Sequence, residues 1–235
     1  MNNLDLLKVY KFDKKIRLGA HGDGGYVIGE LDGEYDCYIS AGIANEESFS
    51  QQFINRYNMT EYNSFGFDGT VDRYPYQFTN KISFIRKNIS NINNDTNSNL
   101  EWLMYMYDNI FLKMDIEAGE YPWILSLDEY KLKKFKQIVI EVHWICNDRD
   151  YPYSDKVKCL EKLAKTHYLI HAHGNNCGIT VNKIPEVIEL TYVNKAYFSI
   201  PPELNKVPLP VRGLDMPNER RNPDIDLNFP PFTNV

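Results

Sequence analysis

Residues 109–125 read NIFLKMDIEAGEYPWIL, and the architecture of the chain is decided there. An apolar run, Ile110-Phe111-Leu112, passes Lys113 and Met114 and then stops in acids at Asp115, Glu117 and Glu120. A buried run that ends in carboxylates is how a central strand of an α/β sheet delivers polar groups to its carboxyl edge, where such sheets bind ligands. Asp115 and Glu117 are two apart, so they share one face as long as the chain stays extended. Pro122 fits the first turn of a following helix, where its missing N–H leaves no intrahelical bond unmade.

Working outward, apolar stretches of strand length alternate with stretches of helical period. The pattern predicts strands over 35–41, 63–67, 81–86, 137–142, 168–172 and 187–193. It predicts helices over 3–11, 46–57 (capped by Asn45), 100–107, 122–135 and 154–166 (capped by Ser154), and a polar Asn-rich linker over 90–99. The last two strands have no helix-length segment between them and are expected to be antiparallel neighbours. The expected fold is therefore α/β: a Rossmann-like, seven-stranded, mostly parallel sheet with helices on both faces and an antiparallel last strand. One domain is expected over 1–200, including an N-terminal cap over 1–34, followed by a Pro-rich tail over 201–235. The tail carries Leu204, Leu209, Leu227 and Phe229, too apolar for a solvated segment, and is expected to wrap the domain in extended form, as a lid or at a subunit contact.

Composition narrows the class. A net charge of −6 argues against a nucleic-acid backbone as partner, since binding phosphates calls for a basic surface. Cys37, Cys146, Cys159 and Cys177 form no CxxC pair and read as free thiols. No run is long enough to span a bilayer and the first residues lack a secretory apolar segment, so a cytoplasmic protein without a membrane partner is expected.

Three further features bear on a ligand. Asp23-Gly24-Gly25-Tyr26 clusters glycines that permit close backbone approach. Ser40-Ala41-Gly42 closes the first central strand, and Asp68-Gly69 closes the second at about the interval (roughly 20 residues) that places an acid on ribose hydroxyls. Asn88, after the third strand, falls where an adenine ring would lie.

The segment Lys113-Met114-Asp115-Ile116-Glu117-Ala118-Gly119-Glu120 resembles the signature of the FkbM-type methyltransferases, with Ala118 at a position where the family has glycine. The Asp-Gly-Gly-Tyr turn is similar to one found in a branch of that group. The resemblance spans roughly 17–195. It implies the class I methyltransferase fold, S-adenosylmethionine as cofactor and a sugar or nucleotide-sugar hydroxyl as acceptor in glycan biosynthesis. It also implies cofactor contacts from Asp23, Gly24, Gly25, Tyr26, Ser40, Gly42, Asp68, Gly69, Asn88 and Asp115, with Asp23 on the ammonium group.

Methyl transfer to a hydroxyl needs a proton acceptor, and the strand ends offer Asp115, Glu117, Glu141 and His143. His143 is the preferred base because imidazole titrates near neutral pH, with Asp115 or Glu117 orienting it. His173 is expected at the acceptor, and Arg220 and Arg221 (with Arg212) at an acceptor phosphate. The same oxygens and nitrogens suit Mg²⁺, ranked below metal-free base catalysis. Two other readings stand beside this one: a metal-dependent glycosyltransferase using Asp115 and Glu117, and a non-catalytic Rossmann binding module. A homo-oligomer is compatible with all three.

Overall fold

The structure is a computed structural model describing residues 3–234. After a 3₁₀ turn at Asn3–Leu7 come strands β1 (Lys15–Gly19), β2 (Gly25–Gly29) and β3 (Cys37–Ala41), helix α1 (Ser48–Arg56), then β4 (Ser64–Phe67) and β5 (Ser83–Ile85). Short strands β6 (Asn88–Ile89) and β7 (Asn97–Ser98) precede α2 (Glu101–Met106), β8 (Ile110–Met114), α3 (Glu120–Ser126) and α4 (Glu129–Leu132). The chain continues through β9 (Phe135–Val142), α5 (Tyr153–Thr166), β10 (His167–Gly174), β11 (Thr180–Val181), β12 (Ile184–Pro185) and β13 (Ile188–Asn194).

Seven strands form one mixed sheet in the order β10-β13-β9-β8-β3-β4-β5. Strand β13 is inserted between β9 and β10 and runs antiparallel to both, while β9, β8, β3, β4 and β5 pair in parallel. The expected α/β class and the antiparallel last strand are both present, in a Rossmann-like arrangement.

Strand alternation gives the sheet two cores. Ile39, Leu112, Ile138 and Ile140 join Leu103, Trp123, Ile124, Leu160 and Leu163 of the helices α2, α3 and α5 in one. Tyr38, Phe111 and Val139, one residue out of step, pack with Phe49 and Phe53 of α1 and with Leu18, Tyr26 and Ile28 of the β1–β2 hairpin in the other. Helices on both faces were expected; the second face is covered by one helix and a hairpin. Both hairpin strands contact α1, and β2 also contacts β9, β10 and β13, with Thr191 Oγ1 donating to the Val27 carbonyl at 2.6 Å.

Several boundaries differ from those read off the sequence. The helix expected over 122–135 is two: Asp128 interrupts it and caps α4 by accepting from Lys131 N, while Phe135 already belongs to β9. Asn45 and Ser154 do not cap: α1 and α5 follow Glu47 and Pro152, neither with a side-chain cap bond. The linker over 90–99 is bracketed by the pairing of β6 with β7, and its turn is organised by Asn94 Oδ1, which accepts from the backbone N–H groups of Thr96 and Asn97. The 3–11 helix is a single 3₁₀ turn.

The 201–234 segment packs against the strands and helices before it. Leu204 bridges to Tyr10, and Leu209, Leu227 and Phe232 lie fully within the first core. Val207 is half exposed. Among the described residues no helix is long and apolar enough to cross a membrane.

Candidate functional site

At the carboxyl ends of β3, β4 and β8 the sheet opens into a cavity of about 750 Å³. Its wall includes Asp23, Gly24, Tyr26, Gly42, Asp68, Asn88, Asp115 and Glu117, which the sequence had marked, together with Ile43, Ala44, Glu46, Thr70, Lys113, Asp150 and Tyr151, which it had not. The volume lies within the range of small-molecule and cofactor sites, ~300–1,000 Å³.

Gly42 makes this opening geometrically possible. Its φ is +80°, and a Cβ built there would lie 1.6 Å from the Asp115 carbonyl oxygen. The two strand ends thus touch backbone to backbone, clamped by Asp115 N–H to the Ala41 carbonyl (2.9 Å) and by Lys113 Nζ to the Gly42 carbonyl (2.6 Å). Immediately beyond, Glu117 and Ala118 both take positive φ, +55° and +74°. Ala118 holds the left-handed backbone that glycine prefers, a cost of roughly 1–2 kcal/mol for alanine. Strand alternation therefore does not place Glu117; this turn does.

His143 lies just past β9 and is 4% exposed. It is not on the cavity wall but directly behind it, ringed by carboxylates. Its Nε2 is 3.7 Å from Asp115 Oδ1, 3.5 Å from Glu117 Oε2 and 3.7 Å from Glu141 Oε1, and its Nδ1 is 3.4 Å from Glu120 Oε1. The orienting partner is therefore Glu120, not Asp115 or Glu117. The same oxygen accepts the His143 backbone N–H at 2.9 Å, and Tyr121 donates its hydroxyl to the His143 carbonyl. Burial lowers the imidazole pKa, but the hydrogen bond and charge of Glu120, with Asp115 and Glu117, outweigh it and leave it raised. Burial first, and then Asp115 and Glu189, push the Glu141 carboxyl well up; its Oε1 accepts from Asn175 at 2.9 Å and its Oε2 has no partner. Glu120 was visible as the third acid of the opening motif, yet nothing in its spacing pointed it at His143.

Asp68 lines the cavity with its acceptor sites already filled. Oδ2 takes the N–H groups of Ile43 and Ala44 (3.0 and 3.1 Å), and Oδ1 takes Thr70 N–H and Oγ1 (2.7 and 2.6 Å). Its carboxylate fixes the loop after β3 to the loop after β4. Burial opposes ionisation, but these four donors hold the pKa below the usual aspartate value. The expected ribose contact would have to share acceptors already in use. Ser40 is fully buried beneath the floor and donates to Glu47 Oε1 at 2.9 Å, so it offers the cavity no hydroxyl. Gly25 and Gly69 lie next to wall residues; Gly69 N–H donates to Asn88 Oδ1, which holds the Asn88 amide at the rim.

The expected acceptor residues sit elsewhere. His173 is buried between Glu189 Oε2 (3.0 Å) and Asp224 Oδ1 (2.9 Å), which overcome the effect of burial and push its pKa up to about 11. Glu189 stands opposite both His173 and Glu141 across β13, forming a polar row over three strands. Asn218 of the tail closes over it, donating to Glu189 Oε1 at 2.7 Å, with Asp23 Oδ1 at 3.3 Å. Arg220 donates to the His21 carbonyl, and Arg221 pairs with Glu219 with its side chain 87% exposed. Neither is on the cavity wall, and Arg212 is not there either.

The wall therefore carries six acids (Asp23, Glu46, Asp68, Asp115, Glu117 and Asp150) against one described cation, Lys113, itself bound to a backbone carbonyl. Such a field favours cationic ligands and opposes polyanions. A scan against protein-family models finds no match to the chain, and a search of curated proteins finds no significant match.

Proposed function

We propose that the protein is an S-adenosylmethionine-dependent O-methyltransferase with a sugar hydroxyl as acceptor, of the class I fold that the signature resemblance implies. The observation that carries this reading is the acid-walled cavity at the tips of β3, β4 and β8. A sulfonium and an α-ammonium group suit that field, whereas the diphosphate of a glycosyltransferase donor meets no arginine on the wall. A nucleotide-sugar acceptor would have to keep its phosphates outside the cavity.

In the transfer the S–CH₃ bond breaks with its electron pair staying on sulfur, the O–CH₃ bond forms, and the hydroxyl proton leaves to the protein. Alignment supplies most of the rate, on the order of 7–11 kcal/mol for near-attack geometry. Asp115 and Glu117, which face the cavity, are the groups positioned to receive the proton. His143 stands behind them, its Nδ1 held by Glu120, and is not on the cavity wall itself.

Calorimetry tests the assignment. S-adenosylhomocysteine is expected to bind one per chain, and a nucleoside diphosphate with or without Mn²⁺ is expected not to bind. Diphosphate binding without homocysteine-product binding would make the glycosyltransferase reading the better one; binding of neither would favour the non-catalytic module.

A further inference from the structure

Four carboxylates surround the one imidazole of His143: Asp115, Glu117, Glu120 and Glu141. Asp115, Glu117 and Glu120 alone outnumber one imidazolium, and Lys113 donates to the Gly42 carbonyl. The three contacts to Nε2, at 3.5–3.7 Å, are too long for good hydrogen bonds. They are close to the spacing of ligand atoms that share a cation at ~2.1 Å, which is roughly 3.0–3.4 Å at octahedral to tetrahedral angles. Asp115, Glu117 and His143 can each offer an atom within 4.8 Å of the others. Glu117, with its side chain 81% exposed, is free to close the remaining gap.

Two buried atoms point the same way independently of the acid count. Glu141 Oε2 and Glu120 Oε2 have no hydrogen-bond partner, on side chains 5% and 0% exposed. Glu120 holds Nδ1, so the other ring nitrogen faces the carboxylates. A carboxylate on the far nitrogen of a ligating histidine is the usual second layer of a metal site.

We propose that Asp115, Glu117 and His143 bind a divalent cation, with Glu120 as the positioning residue for the imidazole. The ligand set, oxygens plus one nitrogen, suits Mn²⁺ or Mg²⁺. Two of its members line the cavity, so open coordination positions face the acceptor. A cation held there would supply Lewis acidity, lowering the pKa of an acceptor hydroxyl that meets it. This role in the acceptor's chemistry rests on the methyltransferase reading; the cation site itself does not.

The test uses the full chain stripped with EDTA, Mn²⁺ alone as probe, and electron paramagnetic resonance as readout. One Mn²⁺ per chain is expected, with nitrogen coupling from the imidazole. Glu117→Gln, a change at an exposed side chain, and Glu120→Gln should each weaken binding about tenfold or more. Absence of bound Mn²⁺, or binding without nitrogen coupling and indifferent to Glu117→Gln, overturns the site. S-adenosylhomocysteine is titrated alongside in EDTA. Its binding without any Mn²⁺ binding defeats the cation alone, and Mn²⁺ binding without it defeats the methyl donor and leaves the cation standing.

Discussion

Gly42→Ala isolates the contact on which the cavity depends. Two costs follow from the structure. A left-handed φ of +80° costs alanine about 1–2 kcal/mol. The new Cβ would also meet the Asp115 carbonyl oxygen at 1.6 Å, against a closest tolerable approach of about 3.0 Å, so Asp115 must retreat by more than an ångström. That retreat strains the Asp115 N–H bond to Ala41 and shifts the carboxylate facing the ligand. Together these predict a loss of about 3–5 kcal/mol in stability, at the upper end for single substitutions. Gly213→Ala is the matched control: its φ is +81° with nothing within 4 Å of the added carbon, so it carries the backbone cost alone. Urea unfolding of the three proteins, with S-adenosylhomocysteine calorimetry on those that fold, measures the difference. If Gly42→Ala were no less stable than Gly213→Ala and bound the ligand as the parent does, the backbone contact between β3 and β8 would not be what shapes the site.

Other outcomes follow from the titrating groups and the tail. Glu120→Gln removes the carboxylate that does most to raise the His143 pKa, so the imidazole should titrate at lower pH in the variant, read by the ring-proton shifts in NMR. His167 is buried, its pKa pushed down to about 4 by burial despite the bond to the Phe135 carbonyl. Between pH 4 and the unfolded value near 6.5 the unfolded chain holds the extra proton, so stability should be full above about pH 6.5 and fall by up to about 3 kcal/mol towards pH 4. Chemical denaturation across that range should show a slope that His167→Gln flattens. Phe232→Ala, in the tail yet 0% exposed, should cost about 3–5 kcal/mol; a loss under 1 kcal/mol would mean the tail is not part of the core.

What could be read without coordinates was whatever repeats at short range. The strand ending at Met114 and the inserted antiparallel strand follow from apolar runs, charged stops and connection length. Gly42, Asp115 and Glu117 were legible because polar groups collect where strands end. The first strand of the β1–β2 hairpin escaped because the 15–19 stretch, KIRLG, is too short and mixed to signal a strand. Glu120 and Asn218 acquire their roles across 23 and 29 residues of sequence, through contacts that no periodicity encodes. Asp68 lies on the cavity wall, but its four internal donors could not be read from spacing, which locates a carboxylate and does not say which donors reach it first.

The two ends of the described chain meet twice: Asn218 reaches Asp23 on the cavity wall, with Arg220 beside it on the His21 carbonyl, and Leu204 pairs with Tyr10 along the β10 edge of the sheet. During synthesis the Asp23-Gly24 turn leaves the ribosome nearly two hundred residues before the segment that secures it. The central strands can pair in that interval, but the mouth of the pocket stays unfinished and the sites of Leu209, Leu227 and Phe232 stay open to water. Ligand binding therefore waits on the 201–235 segment, and the interval before that segment emerges is when the nascent protein is most exposed to aggregation.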